Sequence, residues 1–547
     1  MLRPARLLNS SLRQLIVAAC LGASLLFVAG CGPRETSVAR GNREQVLHRG
    51  VGYEVTELDP HLVSGIAEAA VLGALFEGLV AEDPVDLHPV PGVAERWTVS
   101  TDALTYTFHL RADAKWSDGT PVTAQDFIAS FRRVLTPSLG AESANFLYVL
   151  QGAEAFHKGA SKNFAEVGAV AVDPHTLRLT LAHPVPHFLA MLTHMVWLPV
   201  PVAVIEKHGA LYERGNTWTR PGRLVGNGAF TLKRWQPNQV IVVEKSPSYW
   251  DAGRVRLNGV HFYPIESLDA EERAFRSGQL HLTDALPVGK IEAYRRDEPE
   301  LLRIDPYLGT YFYRINTARA PFTDERIRRA LSLAIDRNAI VQKILRGGQQ
   351  PAHALTPPGL GGYVPPGGGA TDVAAARALL KEAGYENGRG LPPVELLYNN
   401  SENHGLIAEA LQEMWRRELG VEVRLANQEL KATHAARRSG DYQILRSVWI
   451  GDYLDPTSFL DIFRSDSGNN HTRWSSSAYD TALFTAARTA DPAERHALLR
   501  KAEGLLLEAA PIIPLYHYTH VFLIRPSVKG WHPTLLDRHP LKHVWLE

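Results

Sequence analysis

The sequence predicts an α/β protein built from several domains, and three observations carry that expectation. Helix, glycine stop and strand alternate twice in succession. TDVAAARALLKEAGY reads as a helix ending at Gly384 and PVELLYNN as a strand, and LIAEALQEMWRRELG followed by VEVRLANQ repeats the order. Runs with period-two alternation, such as TYTFHL, recur outside this unit. A length of 547 residues fits about three or four domains.

In chain order, MLRPARLLNSSLRQ comes first, with Arg3, Arg6 and Arg13 and no acidic residue. LIVAACLGASLLFVAG follows, an apolar run of 16 residues, so a positive n-region precedes an h-region. The run falls short of the ~20 residues that span a bilayer, which disfavours a plain membrane anchor. Val28-Ala29-Gly30-Cys31 resembles the lipobox of bacterial lipoproteins. That resemblance implies removal of residues 1–30 as a signal peptide and a diacylglycerol on the Cys31 thiol. A second acyl group on the new amino terminus makes the anchor multi-chain, as stable attachment requires. Cys20 leaves with the signal, so the mature chain holds no thiol for a disulfide, and its stability must come from core burial. Residues 31–45 are then the lipidated cysteine and a polar tether without periodicity.

VLHRGVGYEV begins the folded region. TYTFHL gives a strand and SDGTP a turn. TAQDFIASFRRVL gives a helix with Thr123 at the N-cap and Asp126 three residues in. LRLTL (177–181) is a second strand of this region. VGNGAFTLKRWQPNQVIVVEKSPSYWD holds two strands about a Pro-Asn turn, and GVHFYPI and YLGTYFYRIN are further strands. In PFTDERIRRALSLAIDRNAIVQKIL, Pro321 and Asp324 mark a helix start, and Ile327, Ala330, Leu331 and Ala334 form its apolar face. PPGLGGYVPPGGG (357–369) lacks the Lys-Ser/Thr of a P-loop and reads as a surface connection. DYQILRSVWIGDYLDP is a strand with the loop beyond its end, where open α/β sheets place ligands. PIIPLYHYTHVFLIRP is a last strand.

The formal net charge is zero, and loss of three arginines with the signal leaves about −3 by the simple charge count. No basic stripe suggests nucleic acid. The 22 histidines are scattered, with no HExxH and no cysteine pair, so no metal and no cofactor is expected. His517 and His520 stand at i, i+3 in a strand, which points them to opposite faces and argues against a shared metal.

The segments LDPHL (58–62), LFEGL (75–79), TFHLRADAKWSDGTPVTAQDF (107–127), NGAFTLKRW (227–235), SPSYW (246–250), RSGQL (276–280), DPYLGTYFYRIN (305–316), ALLKEAGY (378–385) and DYLDPTSF (452–459) together carry a family resemblance. In number and order they resemble the oligopeptide-binding proteins of bacterial peptide importers, the extracellular solute-binding proteins of family 5. The resemblance implies a two-lobed periplasmic-binding-protein-like fold of the large class II type with an additional inserted domain. Carried onto this chain, lobe I comprises 46–76, 200–307 and 519–547, the inserted domain 77–199 and lobe II 308–518. The crossings between lobes fall near Tyr307 and Tyr518.

It also implies a site. The position matched to the aspartate that pairs with a peptide's α-ammonium is Asp452, while Asp455 before Pro456 reads as a turn cap. Arg446, His404 and Arg437 match residues that receive peptide carboxylates at different depths. Trp449, Ile450, Tyr307, Ser64 and Ile66 fall at further peptide-contacting positions. Leu430 and His434 stand where the family has a pocket tryptophan and a leucine, and Ser143 where it has a tyrosine. One cation position falls at Leu345, beside Arg346. Gly309 and Ile450 occupy positions that some members join by a disulfide. The physics suits the task. A zwitterion must lose water at both ends, which only paired, hydrogen-bonded charges make tolerable, and main-chain groups can hold the peptide like an added strand.

The expected protein is a monomeric, non-enzymatic lipoprotein of the periplasm, anchored to the membrane through lipid. Its partners are short peptides and the permease and ATPase subunits of an ATP-driven importer. Three alternatives stay open: a muropeptide or other small solute as ligand, a chaperone-like binder of unfolded chains, and an exported hydrolase. The last needs a nucleophile with a base, and neither GxSxG nor Ser-xx-Lys is evident.

Overall fold

The computed structural model describes residues 35–547, except 64, 368 and 369. The signal segment, Cys31 and Ser64 lie outside the described residues. A mixed six-stranded sheet forms one half of the molecule. Its order is Gln350–Pro351, Ile512–Leu523, Leu302–Ile315, Ile444–Ile450, Val394–Asn399, Val423–Gln428. Because side chains alternate along a strand, Leu302–Ile315 feeds two cores at once. Tyr311, Tyr313 and Ile315 pack with Ile327, Leu331, Ile407 and Trp415, under the helices Glu325–Leu333 and Glu402–Leu419. Leu308 and Phe312 pack on the other face with Phe459, Phe463, Leu499 and Leu506. Burial on both faces explains why YLGTYFYRIN is apolar almost throughout.

The other half has two four-stranded sheets. One is ordered Val46–Gly50, Gly259–Tyr263, Val240–Lys245, Phe230–Gln236; the other, fully antiparallel, runs Ala94–Val99, Thr105–Leu110, Thr176–Thr180, Ala169–Asp173. They share one continuous core, in which Leu47, Val260 and Phe262 join Phe108, Phe131 and Trp197. Two strands tie the halves together. Leu302–Ile315 and Ile512–Leu523 pair antiparallel, and their register shifts between Pro306 and Thr310, where proline has no N–H to donate. Beyond the shift, Val521 and Leu523 enter a separate cluster with Phe275, Leu280 and Tyr294.

Local expectations are met where local chemistry decides. Asp126 Oδ2 accepts from the Thr123 N–H at 2.7 Å and closes the capping box of Ala124–Leu135. Gly384 and Gly420 take φ of +89° and +68° behind their helices. His517 and His520 diverge as the strand period requires: His517 Nδ1 lies 2.9 Å from Thr310 Oγ1, while His520 Nδ1 lies 2.9 Å from Asp537 Oδ1. Gly309 and Ile450 are cross-strand partners, and the Ile450 side chain occupies the space over the glycine.

Several recurrent motifs build the frame. Asp59 and His61 of LDPHL hold the buried Arg133, whose Nη1 and Nη2 lie 2.9 and 2.6 Å from the Asp59 carboxylate oxygens. Glu77 of LFEGL accepts from Tyr249 and Trp250 of SPSYW at 2.5 and 2.6 Å, and Asn227 of NGAF brackets its main chain.

Two expectations are corrected. Residues 37–44 are not an aperiodic tether but a helix, Ser37–Glu44, capped by Thr36. Only Val38 and Gly41 face inward, one turn apart, so the polar majority hid it. The loop 357–369 is not all surface, since Leu360 and Tyr363 are buried and Tyr363 donates to Glu503 Oε2 at 2.6 Å. The helix opened by Asp324 closes at Ala334, and the chain beyond turns at Arg337–Ala339 into the π-helical Ile340–Leu345. Among the described residues no helix is long and apolar enough to cross a membrane.

Candidate binding site

The strand Ile444–Ile450 and the loop after it assemble the charges. Arg446 pairs across the sheet with Tyr313, so its side chain joins the tyrosine face. Its guanidinium lies 4.8 Å over the Tyr311 ring and donates to Tyr518 Oη at 3.2 Å and Asn399 Oδ1 at 3.4 Å. Its Nε is buried without a partner, and no carboxylate pairs with it among the described residues. A half-buried guanidinium among aromatic rings with no counter-ion is a ready receiver for an anion.

His404 joins the same group, its Nδ1 3.5 Å from Tyr311 Oη. Burial and then the Arg446 charge hold its pKa down to about 3. At neutral pH His404 therefore offers a ring N–H rather than a charge. Leu430, His434 and Arg437 share one face of the helix Leu430–Ser439 by their i, i+4, i+7 spacing. Burial and Arg438 lower the Arg437 pKa, and its Nε has no partner. Arg446 and His404 meet at the Tyr311 side chain, and the charges of Arg437 and Arg446 both act on His434, lowering its pKa after burial.

Trp449 points to the opposite sheet face from Arg446 and donates from Nε1 to the Ser458 carbonyl at 2.6 Å, which ties the strand to the loop. Ile66 opens the helix Ile66–Leu75 and is 58% exposed, and Leu430 is 47% exposed, so both present apolar surface. Tyr307 lies in the crossing strand with its ring 6.3 Å from His520.

The two aspartates of DYLDP have opposite fates. Asp455 receives both Nη atoms of Arg495 at 2.8 Å, together with the Thr457 N–H and hydroxyl at 3.0 and 2.7 Å. Burial would raise its pKa, but His187 and Arg495 bring it down to about 2. Asp452 is held by its main chain: its N–H donates to Ser458 Oγ at 2.8 Å and its carbonyl accepts from Arg538 at 3.0 Å. Its carboxylate has no hydrogen bond or ion pair among the described residues, and burial lifts its pKa to about 6 against the pull of Arg538. Tyr453, between them, is buried in the core of the other half. It stacks on His187 at 4.8 Å and meets Phe146 edge-on at 6.3 Å. The loop thus bridges the two halves. Arg538, Arg495 and His187 were absent from the sequence reading, and nothing in their local sequence marks them.

Two lobes joined by a pair of crossing strands, with a carboxylate and a guanidinium on one strand–loop unit that both lack a counter-ion among the described residues, define a bacterial two-lobed binding protein. The chain belongs to the bacterial extracellular solute-binding proteins, family 5, whose model of the middle region matches residues 88–471. It is 39% identical over 535 residues to the periplasmic oligopeptide-binding protein OppA of Escherichia coli, covering 96% of each chain. Among solved structures, it resembles the murein tripeptide-binding protein MppA of Escherichia coli with a TM-score of 0.81 at 36% identity, covering 92% of this chain and 98% of that one. It also resembles the OppA of Haemophilus influenzae in complex with RPPGFSPFR, with a TM-score of 0.80 at 33% identity, covering 92% and 99%. The family is one of binding proteins rather than enzymes.

Proposed function

We propose that this protein is a lipid-anchored periplasmic receptor that captures short peptides between its lobes and delivers them to the permease and ATPase subunits of an ATP-driven importer. One observation carries the reading: Asp452 is a partly buried carboxylate without a hydrogen bond or ion pair among the described residues, six residues after Arg446, which has no counter-ion among them. An ammonium at Asp452 and a carboxylate near Arg446 satisfy both charges at once, which neither water loss nor a neutral ligand can do. The four strand steps from Arg446 to Ile450 span ~13 Å, about the length of four extended residues. Similarity to proteins named for oligopeptides supports the same class of ligand.

In this reading Arg446 and Arg437, with His404 as donor, receive the carboxylate, and Leu430, His434, Ile66 and Trp449 border the side chains. Tyr307 and Ile450 border the peptide's main chain, and Ser64 is a further contact by the family resemblance alone. Lobe I comprises 46–76, 200–307 and 519–547, the inserted domain 77–199 and lobe II 308–518. The protein works as a monomer held to the membrane through Cys31. A muropeptide is the second candidate ligand, favoured by the likeness to a murein tripeptide-binding protein. Calorimetry with trialanine, N-acetyl-trialanine and a murein tripeptide tests these readings. Binding of trialanine supports the first, binding of the murein tripeptide alone supports the second, and binding of none refutes both.

A further inference from the structure

Arg538 joins three parts of the chain that are far apart in sequence. Its Nη2 donates to the Asp452 carbonyl at 3.0 Å. Its Nη1 pairs with Glu82 Oε1 at 2.7 Å and reaches Thr193 Oγ1 at 3.2 Å. Asp452 lies in the loop of the six-stranded half, whereas Glu82 ends the strand Val80–Glu82 of the other half. The guanidinium is 28% exposed and Glu82 12%, so the contact is well shielded from water. A rim ion pair would be worth little, but this one also fixes the main chain of the residue whose carboxylate is free.

We propose that Arg538 is the positioning residue for ammonium capture: it clamps the Asp452 loop to the Glu82 strand and so aims the Asp452 carboxylate at the ligand. This rests on the peptide-binding reading above. Because the clamp spans the two halves, it forms only when they are together, which couples the loop's geometry to closure. Its charge adds a second effect, since Arg538 is the cation acting on the Asp452 carboxylate as burial opposes ionisation. Of the other charged groups here, Asp455 is matched by Arg495 and His187 and Glu82 by Arg538 itself. The buried His194 on the far side of Arg538 is held neutral. Asp461, which faces Tyr453 and Asp455, has no ion pair among the described residues and is lifted by burial to about 7. Tyr453 packs on His187 and Ser458 accepts from the Asp452 N–H, so neither supplies positive charge.

Calorimetry of the full chain with trialanine and N-acetyl-trialanine between pH 5 and 8 tests the clamp, using wild type, Arg538→Ala and Arg538→Lys. Arg538→Ala is expected to weaken trialanine at pH 7 by roughly ten- to a hundredfold, and the acetylated peptide by less than about threefold. The acid limb of the trialanine profile should move to higher pH by about one unit, because the balancing charge is gone. Arg538→Lys should restore the limb and only part of the affinity, as a single ammonium cannot fork to Asp452 and Glu82 together. Equal losses for both peptides with the limb unmoved would make Arg538 a plain structural tie and overturn the proposal. If Arg538→Ala does not fold, Arg538→Lys decides: selective loss of trialanine supports the clamp, and unchanged affinities overturn it. A wild type that binds neither peptide refutes the peptide reading itself, whereas a wild type that binds trialanine beside indifferent variants refutes the clamp alone.

Discussion

Arg495 grips Asp455 with both Nη atoms at 2.8 Å, and this buried fork leaves the carboxylate of Asp452, three residues earlier, without a side-chain partner among the described residues. A loop with two aspartates thus divides its labour. One is consumed in holding the turn, and the other is held by its main chain alone.

Asp452→Asn is expected to weaken free peptides by ~3–5 kcal/mol, about two to three and a half decades in affinity, as removing one member of a buried pair does. N-acetylated peptides should lose far less, having no ammonium to leave unpaired. The wild type should also bind free peptides more weakly as pH falls through about 6, where the Asp452 carboxyl takes up a proton. Calorimetry on a length series with free and acetylated ends checks all three outcomes. Equal losses in both series would reduce Asp452 to a turn residue.

Stability should respond to the same two residues in the opposite order. Arg495→Ala leaves the buried Asp455 uncompensated and should cost ~3–5 kcal/mol in urea melts at pH 7. Asp455 has a depressed pKa, so its contribution is present above ~3.9 and lost only as pH falls through about 2. Asp452 has a raised pKa and opposes folding at neutral pH, so Asp452→Asn should leave stability unchanged or slightly higher. A large loss from Asp452→Asn would mean that its carboxylate already has a stabilising partner.

Acid should weaken the N-terminal half through two of its buried histidines. His48 and His281 are buried and stacked at 5.6 Å, and burial holds their pKa values at about 3 and about 4. Both sit below the unfolded value near ~6.5, so stability is full above that pH and declines as pH drops through the gap. At pH 4.5 each histidine should cost ~2–3 kcal/mol. Urea melts at pH 7.0 and 4.5 measure this, and His48→Gln should flatten the difference.

Cys31→Ser should leave a precursor that takes up no labelled lipid, since the VAGC run is the proposed cleavage and acylation signal. Metabolic labelling with a fatty acid, followed by membrane fractionation, is the check. A mutant that matures normally and stays equally membrane-bound would contradict the lipoprotein reading.

Much of the fold could be read from short stretches, because the forces that set it act over a few residues. The Thr123–Asp126 box, the glycine stops at 384 and 420 and the period-two runs all depend on neighbours within a turn or a strand. The short helix Ser37–Glu44 escaped since two inward residues make too weak a period, and packing on the Gly278 carbonyl decides it.

The sequence by itself determined many of the strands and helices, the family motifs and the strand–loop unit from Arg446 to Asp455. What only the tertiary structure decided is the ionic state and use of each residue there. Asp455 is spent because Arg495 arrives from 40 positions away, and Asp452 is aimed because Arg538 arrives from 86. His404 is neutral because the fold buries it beside Arg446, and local sequence cannot encode that. A charge's fate depends on its distance to other charges and to water, and those distances exist only once remote segments have packed.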